Sequence, residues 1–239
     1  MSSRAKYDLN MCPAKFGIVI PCYNESGNLT TLIDQCEEIA TSGFFEFVLV
    51  NNGSTDNSIE IMNRKSSANV RFIDLEKNLG YGGGIISGLS TLKTDYVGWT
   101  HADLQTDLIS SMAALRNADF DFFKGIRLGR SPLERLLSSG MGLICSAIFR
   151  TKLHEINAQP TVMTKKLYDS WRNPPKDFSL DLYATLIAKQ RNSRIVRSRF
   201  DFSKRNSGKS SWNTGLKSRV KMVSRTLKYA FALQRSGVN

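Results

Sequence analysis

Asp95-Tyr-Val-Gly-Trp-Thr-His-Ala-Asp-Leu-Gln105 is the stretch from which the rest of the chain is read. Its first half is a short apolar run of β-forming residues. Its second half gathers His101, Asp103 and Gln105. A carboxylate at the carboxyl end of a strand sits where open α/β sheets bind ligands. Carboxylates there hold Mg²⁺ or Mn²⁺, and the ion in turn holds a diphosphate. Taken by itself the segment is a strand followed by a polar turn; its neighbours carry the reading further.

Upstream, Phe16 to Ile20 is an apolar run closed by Pro21, and Phe44 to Val50 and Val70 to Leu75 are two more strand candidates. Between the first two, Leu29, Leu32, Ile33, Cys36 and Ile39 recur at helical spacing. Asn51-Asn-Gly-Ser-Thr-Asp56 is a turn, from which Ser54 or Asp56 caps a helix through Ile59 and Met62. Gly80 to Gly84 is a loop, and Ile85 to Leu92 a helix. Strands that alternate with helices predict βαβ units and a largely parallel sheet. Downstream the spacing predicts helices over 108–115, 132–149 and 181–188, a strand over 120–125, a loop at 171–176 and an extended segment over 195–202. In the tail, Leu216, Val220, Val223, Leu227 and Phe231 form the stripe of an amphipathic helix.

The chain has 239 residues and a net charge of +12, with 41% hydrophobic and 23% charged residues. Cys12, Cys22, Cys36 and Cys145 form no CxxC pair, so neither a disulfide framework nor a zinc site is expected, and a reducing cytosol is the default. No apolar run approaches the ~18 residues that span a bilayer, and residues 1–13 lack an apolar signal core. Contact with a membrane is therefore expected from the surface. After Asp201 there is no further Asp or Glu, while nine Lys and Arg follow. That asymmetry points to an anionic partner: nucleic acid, phospholipid or a phosphorylated substrate. The tail stripe suits a membrane interface, or packing on the protein's own core or on a second subunit.

Three motifs precede the His101–Gln105 cluster. Pro21-Cys-Tyr-Asn-Glu25 and the Asn51–Asp56 turn both lie at strand carboxyl ends. They offer an aromatic wall and hydrogen-bonding groups for a nucleoside, although Asn, Gly and Ser are also ordinary turn residues. Asn78-Leu-Gly-Tyr-Gly-Gly-Gly84 opens a helix after the third strand, where glycines allow close backbone approach and a helix N-terminus favours anions. Its spacing does not match the dinucleotide fingerprint.

In this order the motifs resemble family-two glycosyltransferases, most closely the branch of dolichyl- and polyprenyl-phosphate sugar transferases. The resemblance covers residues 16 to about 107. Further matches lie at Lys124-Gly-Ile-Arg127, Phe178-Ser-Leu-Asp181 and Arg205-Asn-Ser-Gly-Lys-Ser210. It implies an α/β GT-A fold, three αβα layers around a mostly parallel sheet, that uses a nucleotide-diphosphate sugar with Mg²⁺ or Mn²⁺. The implied organisation is an N-terminal extension over 1–13, a GT-A domain over 14–210 and a basic amphipathic C-terminal helix over 211–239. Pro21, Tyr23, Glu25, Asn52, Ser54, Gly80, Gly83, His101, Ala102, Asp103 and Gln105 would bind the nucleotide sugar, with Asp103 on the metal. Two positions depart from the family pattern. His101 replaces the first Asp of the Asp-x-Asp motif, which removes a negative charge while keeping a possible ligand. Asn52 stands where an Asp commonly faces the base; an amide both donates and accepts.

The resemblance also implies an inverting transfer. For a sugar-hydroxyl acceptor, a general base is required; Asp181 is the candidate, with Asp177 behind it. A helix N-terminal carboxylate is the competing reading of Asp181. For a polyprenyl-phosphate acceptor, already anionic, cations are required instead: Arg127, Arg130, Arg135, Arg205 and Lys209 are the candidates, with Arg205 matching a family Arg near the diphosphate. The expected function is metal-dependent transfer of a sugar to polyprenyl phosphate, peripherally at the cytoplasmic membrane surface, with no nucleic-acid partner. The alternatives are transfer to a glycan hydroxyl in surface-polysaccharide synthesis, an inactive sugar-nucleotide-binding subunit, and a basic nucleic-acid-binding protein.

Overall fold

The computed structural model describes residues 14–65, 70–202 and 216–235. Arg205, Lys209 and the N-terminal extension lie outside the described residues. One seven-stranded sheet organises the chain: β1 (Phe16–Cys22), β2 (Phe45–Asn52), β3 (Val70–Leu75), β4 (Tyr96–Trp99), β5 (Phe122–Leu128), β6 (Thr161–Thr164) and β7 (Ile195–Asp201), in the order β3-β2-β1-β4-β6-β5-β7. All pairings are parallel except those of β6, which runs antiparallel to both β4 and β5.

Strands covered on both faces read as continuous apolar runs, and β1 and β2 do. Ile18 and Ile20 enter one core, and Val19, between them, enters the other. Helices α1 (Ser26–Ala40), α2 (Ser58–Arg64) and α4 (Leu108–Arg116) cover the first face through Leu29, Leu32, Ile33, Met62, Met112 and Leu115. Helices α3 (Tyr81–Leu89), α6 (Lys165–Asp169) and α7 (Leu180–Gln190) cover the second through Ile85, Leu89, Leu167 and Tyr183. The result is the three-layer GT-A architecture. A third cluster joins α5 (Pro132–Phe149), α7 and α8 (Leu216–Arg235) through Met141, Cys145, Leu182, Leu186 and Ala230.

The chain leaves β1 towards β2 and β3 on one side, and β4 lies on the other. The gap between β1 and β4 is thus a topological switch point, where such sheets open a crevice.

Several elements differ from the sequence reading. Helix α3 begins at Tyr81, so Gly82 to Gly84 lie inside it rather than in a loop. Close packing is the reason: a Cβ at Gly88 would sit 2.5 Å from Val19 Cγ1, and one at Gly82 would sit 2.5 Å from the Pro175 carbonyl oxygen. Strand β5 runs on to Leu128 because β7 pairs with it along its whole length. Strand β6 and helix α6 are additional. Ser54 caps nothing; Asp56 accepts from the backbone N–H of Ser58 (3.0 Å) and of Ser26 (3.1 Å), so one carboxylate fixes the starts of both α2 and α1. In α8, Val223 and Leu227 pack against the third cluster, and Thr226 and Ala230 are fully buried. Of the tail stripe, Val223 and Leu227 therefore face the protein's own core, Phe231 stays exposed, and the side chains of Leu216 and Val220 lie outside the described residues.

Candidate active site

The switch-point crevice is lined by Pro21, Cys22, Tyr23 and Glu25 from the end of β1, Asn52 from the end of β2, and His101, Ala102 and Asp103 from the end of β4. Tyr81 and Phe178 complete it from α3 and from the loop before α7. Residues up to 82 positions apart in sequence thus converge because three parallel strands end on one edge (103 − 21 = 82).

The loops that carry these side chains are laced together. Asn24, at φ 56°, donates its backbone N–H to Ser54 Oγ (3.1 Å), and its side-chain oxygen accepts from the Thr55 N–H (2.8 Å). Ser54 is accordingly a brace between loops and does not line the crevice. Glu25 Oε2 accepts from Asn28 Nδ2 (2.8 Å), which orients the carboxylate at the mouth of α1. At the end of β4, Leu104 adopts a left-handed φ of 54°. Such a conformation costs a non-glycine residue about 1–2 kcal/mol. Two contacts offset it: Asp103 Oδ1 accepts from the Gln105 N–H (3.2 Å), and Leu104 packs against the first core. The turn holds Asp103 at the crevice and leaves Gln105 outside the lining.

Asn52 is tied differently from the expectation that it faces a base. Its Oδ1 accepts from the Leu79 N–H (2.9 Å), and its Nδ2 donates to the Gly80 carbonyl (3.0 Å) and to Asn78 Oδ1 (3.4 Å). It lines the crevice while both ends of its amide hold the β3–α3 loop. An aspartate would present a second oxygen to the Gly80 carbonyl, which explains the amide physically. Replacing Asn52 by Ala leaves the Leu79 N–H without its partner. The expected cost is about 1–3 kcal/mol, read as a fall in thermal midpoint; unchanged stability would show that the loop is held by other means.

The glycines expected to cradle the donor are likewise engaged by protein. A Cβ at Gly80, whose φ is 82°, would lie 2.6 Å from the Lys176 carbonyl oxygen, and the Gly83 N–H donates to that same oxygen (3.0 Å). Neither glycine lines the crevice. They allow the 175–177 segment to pack against α3, which brings Phe178 onto Tyr81 with the rings stacked at 4.7 Å and 15°. Tyr81 also stands beside the His101 ring, 5.9 Å between centroids. Tyr81 and Phe178 were absent from the expected site. An aromatic residue inside a glycine-rich segment, and another three before Asp181, were the available signals.

Asp181 is a correction. It is 1% exposed and does not line the crevice. Its Oδ1 accepts from Lys124 Nζ (3.3 Å) and from Gln159 Nε2 (2.9 Å), and that Nε2 also reaches Tyr81 Oη (3.0 Å). A carboxylate buried in this way does not reach an acceptor hydroxyl. It forms an ion pair beneath the site and, through Gln159, braces Tyr81. Burial pushes the Tyr81 phenol well up, and the Asp181 charge adds to the effect. Burial pushes Lys124 down to about 8; Asp181 opposes the shift, and Arg197 and Arg127 reinforce it. Asp177 accepts from the Ser179 N–H (2.9 Å) at the start of α7.

Arg127 and Arg130 both pair with Glu155, Arg127 at 3.2 Å. Arg127 lies at the end of β5 and Arg130 just past it, on the same edge as the crevice, but their charge is partly compensated and neither lines it. Arg135 is exposed on the first turn of α5.

The crevice presents the carboxylates of Glu25 and Asp103 and the imidazole of His101 to any ligand. A diphosphate facing these groups needs a cation between them. Among the described residues no three His, Cys, Asp or Glu side chains come close enough to hold a metal unaided. One carboxylate with an adjacent imidazole still fits Mg²⁺ or Mn²⁺, since such ions commonly take one or two protein ligands and complete their shell with phosphate oxygens and water.

A three-layer αβα sheet with its crevice at this switch point, closed by a motif ending in Asp103, defines a protein of the GT-A class. The family model described as glycosyl transferase family 2 matches residues 17–138, just over half the chain. The chain belongs to that family. It is 34% identical over 126 residues to the undecaprenyl-phosphate 4-deoxy-4-formamido-L-arabinose transferase of Pseudomonas savastanoi, covering 49% of this chain and 37% of that protein. With the enzyme of the same description from Salmonella choleraesuis it shares 30% over 125 residues, 48% of this chain and 38% of that one. The match thus spans less than two fifths of these relatives. Among solved structures, glucosyl-3-phosphoglycerate synthase from Mycobacterium tuberculosis, in complex with Mn²⁺, UDP and glucosyl-3-phosphoglycerate, superposes with a TM-score of 0.70 at 15% identity, covering 95% of this chain and 81% of that one.

Proposed function

We propose that the protein is an inverting glycosyltransferase that moves a sugar from a nucleotide-diphosphate donor to a polyprenyl-phosphate acceptor, with a divalent cation at Asp103. The observation that carries the donor half is the convergence of Pro21, Tyr23, Glu25 and Asn52 with His101 and Asp103 at one sheet edge. Tyr23 and Pro21 supply walls for a base, and Glu25 supplies an acceptor for nucleoside donors. Asp103 and His101 would hold the cation, which when bound offsets charge developing on the departing diphosphate. Tyr81 and Phe178 present a stacked aromatic surface beside the point where the sugar is expected. Gln105, two residues on, donates its backbone N–H to Asp103 Oδ1 and fixes that carboxylate.

Two observations support a phosphate acceptor over a hydroxyl. Asp181, the candidate base, is buried in an ion pair, whereas a phosphate needs no strong base. The relatives named above carry undecaprenyl phosphate in their description. Arg127 and Arg130 lie on the appropriate edge for the acceptor's charge and would exchange part of their Glu155 contact for it; Arg205 and Lys209 are further candidates outside the described residues. No helix among the described residues is long and apolar enough to cross a membrane.

The test is a donor and acceptor matrix: UDP-, GDP- and CDP-sugars, each with Mn²⁺, against a short-chain polyprenyl phosphate and a glycan acceptor. Transfer to the phosphate is expected. Transfer only to the glycan would replace the acceptor half of the proposal, and nucleotide binding without any turnover would leave a sugar-nucleotide-binding subunit.

A further inference from the structure

Helix α5 is anchored at its start by Ser131, whose hydroxyl accepts from the Glu134 N–H while Glu134 reaches back to the Ser131 N–H, with Pro132 in the first turn. From Leu136 to Phe149 its sequence then contains no charged residue. One face, through Met141 and Cys145, is buried against α7 and α8. The opposite face is not: Leu136 is 69% exposed, Leu143 73% and Ile144 43%. Leu136, Gly140, Leu143 and Ala147 follow one another at three- and four-residue steps, so they share one side of the helix. A helix apolar on all sides is normally covered on all sides, and uncharged segments of about this length suit buried or interfacial positions.

The surrounding charge says what the cover is. Arg135 and Arg150, both exposed, bracket the apolar segment. Helix α8, which packs on α5, carries six Lys and Arg and no Asp or Glu; Arg225, Lys228 and Arg235 are exposed on it. A second copy would bring like charges together around the contact, which disfavours self-association. An anionic surface with an apolar interior matches both features, because leucines enter the acyl boundary while flanking cations meet the headgroups.

We infer that the outward face of α5, through Leu136 and Leu143, docks on an anionic phospholipid bilayer, with the bracketing Arg135 and Arg150 at headgroup level and the charge of α8 adding to the attraction. This inference deepens the polyprenyl-phosphate reading and rests on it for its purpose. Helix α5 starts four residues after β5 ends, on the crevice edge (132 − 128 = 4). Docking therefore brings that edge close to where a lipid-linked phosphate emerges. It also moves the expected membrane contact from the stripe of α8 to its neighbour.

The experiment is co-sedimentation of the full chain with phosphatidylcholine vesicles, with and without phosphatidylglycerol. Binding is expected with phosphatidylglycerol, weakening as salt rises. The double variant Leu136→Ser/Leu143→Ser is expected to lose roughly tenfold or more in vesicle affinity while its thermal midpoint stays unchanged. Leu143→Gln alone provides a milder variant if the double one folds poorly. Absence of vesicle binding by the unsubstituted protein, equal binding by the variants, or a dimer that the variants dissociate would each overturn the inference. Transfer to a water-soluble short-chain polyprenyl phosphate, measured without vesicles, reports the proposed function separately. If it persists while vesicle binding is absent, only the docking surface falls.

Discussion

Replacing Asp103 by Ala lowers the rate of sugar transfer by about 10²–10³-fold, the loss seen when one group that stabilises developing charge is removed. The side chain is well placed for such an effect. It stands at the end of β4, at the crevice between β1 and β4, with Oδ1 fixed by the Gln105 N–H. Its neighbour His101 contributes no fixed negative charge there, so Asp103 and Glu25 are the carboxylates that line the crevice. Steady-state transfer assays at saturating Mn²⁺, with circular dichroism as a control for folding, measure the effect. A variant that keeps activity within a few fold would place the cation, or the charge compensation, elsewhere. His101→Asp, which restores a second carboxylate beside Asp103, is the complementary substitution. It should lower the Mn²⁺ concentration needed for half-maximal activity.

Replacing Lys124 by Met destabilises the protein by about 3–5 kcal/mol, because it leaves Asp181 buried without its counter-ion. Lys124 is fully buried and Asp181 1% exposed, and Nζ also donates to Thr161 Oγ1 at 2.7 Å. Chemical denaturation of the two proteins at neutral pH gives the difference directly. The pH dependence carries a further signature. The folded-state pKa of Lys124, about 8, lies below that of an exposed lysine. Between the two values the unfolded chain binds a proton that the folded protein does not, so this group makes stability rise with pH across that window. Below the folded value its unfavourable contribution is complete. The Lys124→Met variant should therefore lack this component of the rise above pH 8, and identical slopes for the two proteins would contradict the assignment.

These two positions also show how far the sequence could be read. The first four strands and the helices between them were legible because parallel strands covered on both faces give unbroken apolar runs, and the turns at their ends carry the polar residues of the crevice. Pro21, Tyr23, Glu25, Asn52, His101, Ala102 and Asp103 fall together for that reason alone. What tertiary packing decides was not legible. Phe178-Ser-Leu-Asp181 marks a helix start equally well for an exposed carboxylate and for a buried one. The partner that settles it, Lys124, lies 57 residues away on β5. Gly82 to Gly84 weaken a helix by local propensity, yet they lie within α3, where the 175–177 segment, Leu79 and Asn52 leave no room for larger side chains. Strand β6 has four residues and α6 five, too few for any periodicity to register. Asn52 lines the crevice, but its amide, expected to face a base, is shared between Leu79 and Gly80, contacts that only the folded loop creates.

The tail provides the same lesson for membrane contact. A stripe at three- to four-residue spacing fits a bilayer and a protein core equally well, and Ala230 and Thr226 are buried in the core. The long α5 segment was read as a helix, and its outward leucines became meaningful once its other face was seen to be occupied by α7 and α8.

The central claim, a nucleotide-diphosphate site built around Asp103, is tested most directly by the thermal midpoint with UDP, GDP or CDP in the presence and absence of Mn²⁺. At least one nucleotide is expected to raise the midpoint of the unsubstituted protein only with Mn²⁺, and the rise should vanish in Asp103→Ala. No shift with any nucleotide, or an equal shift in the variant, would contradict the account.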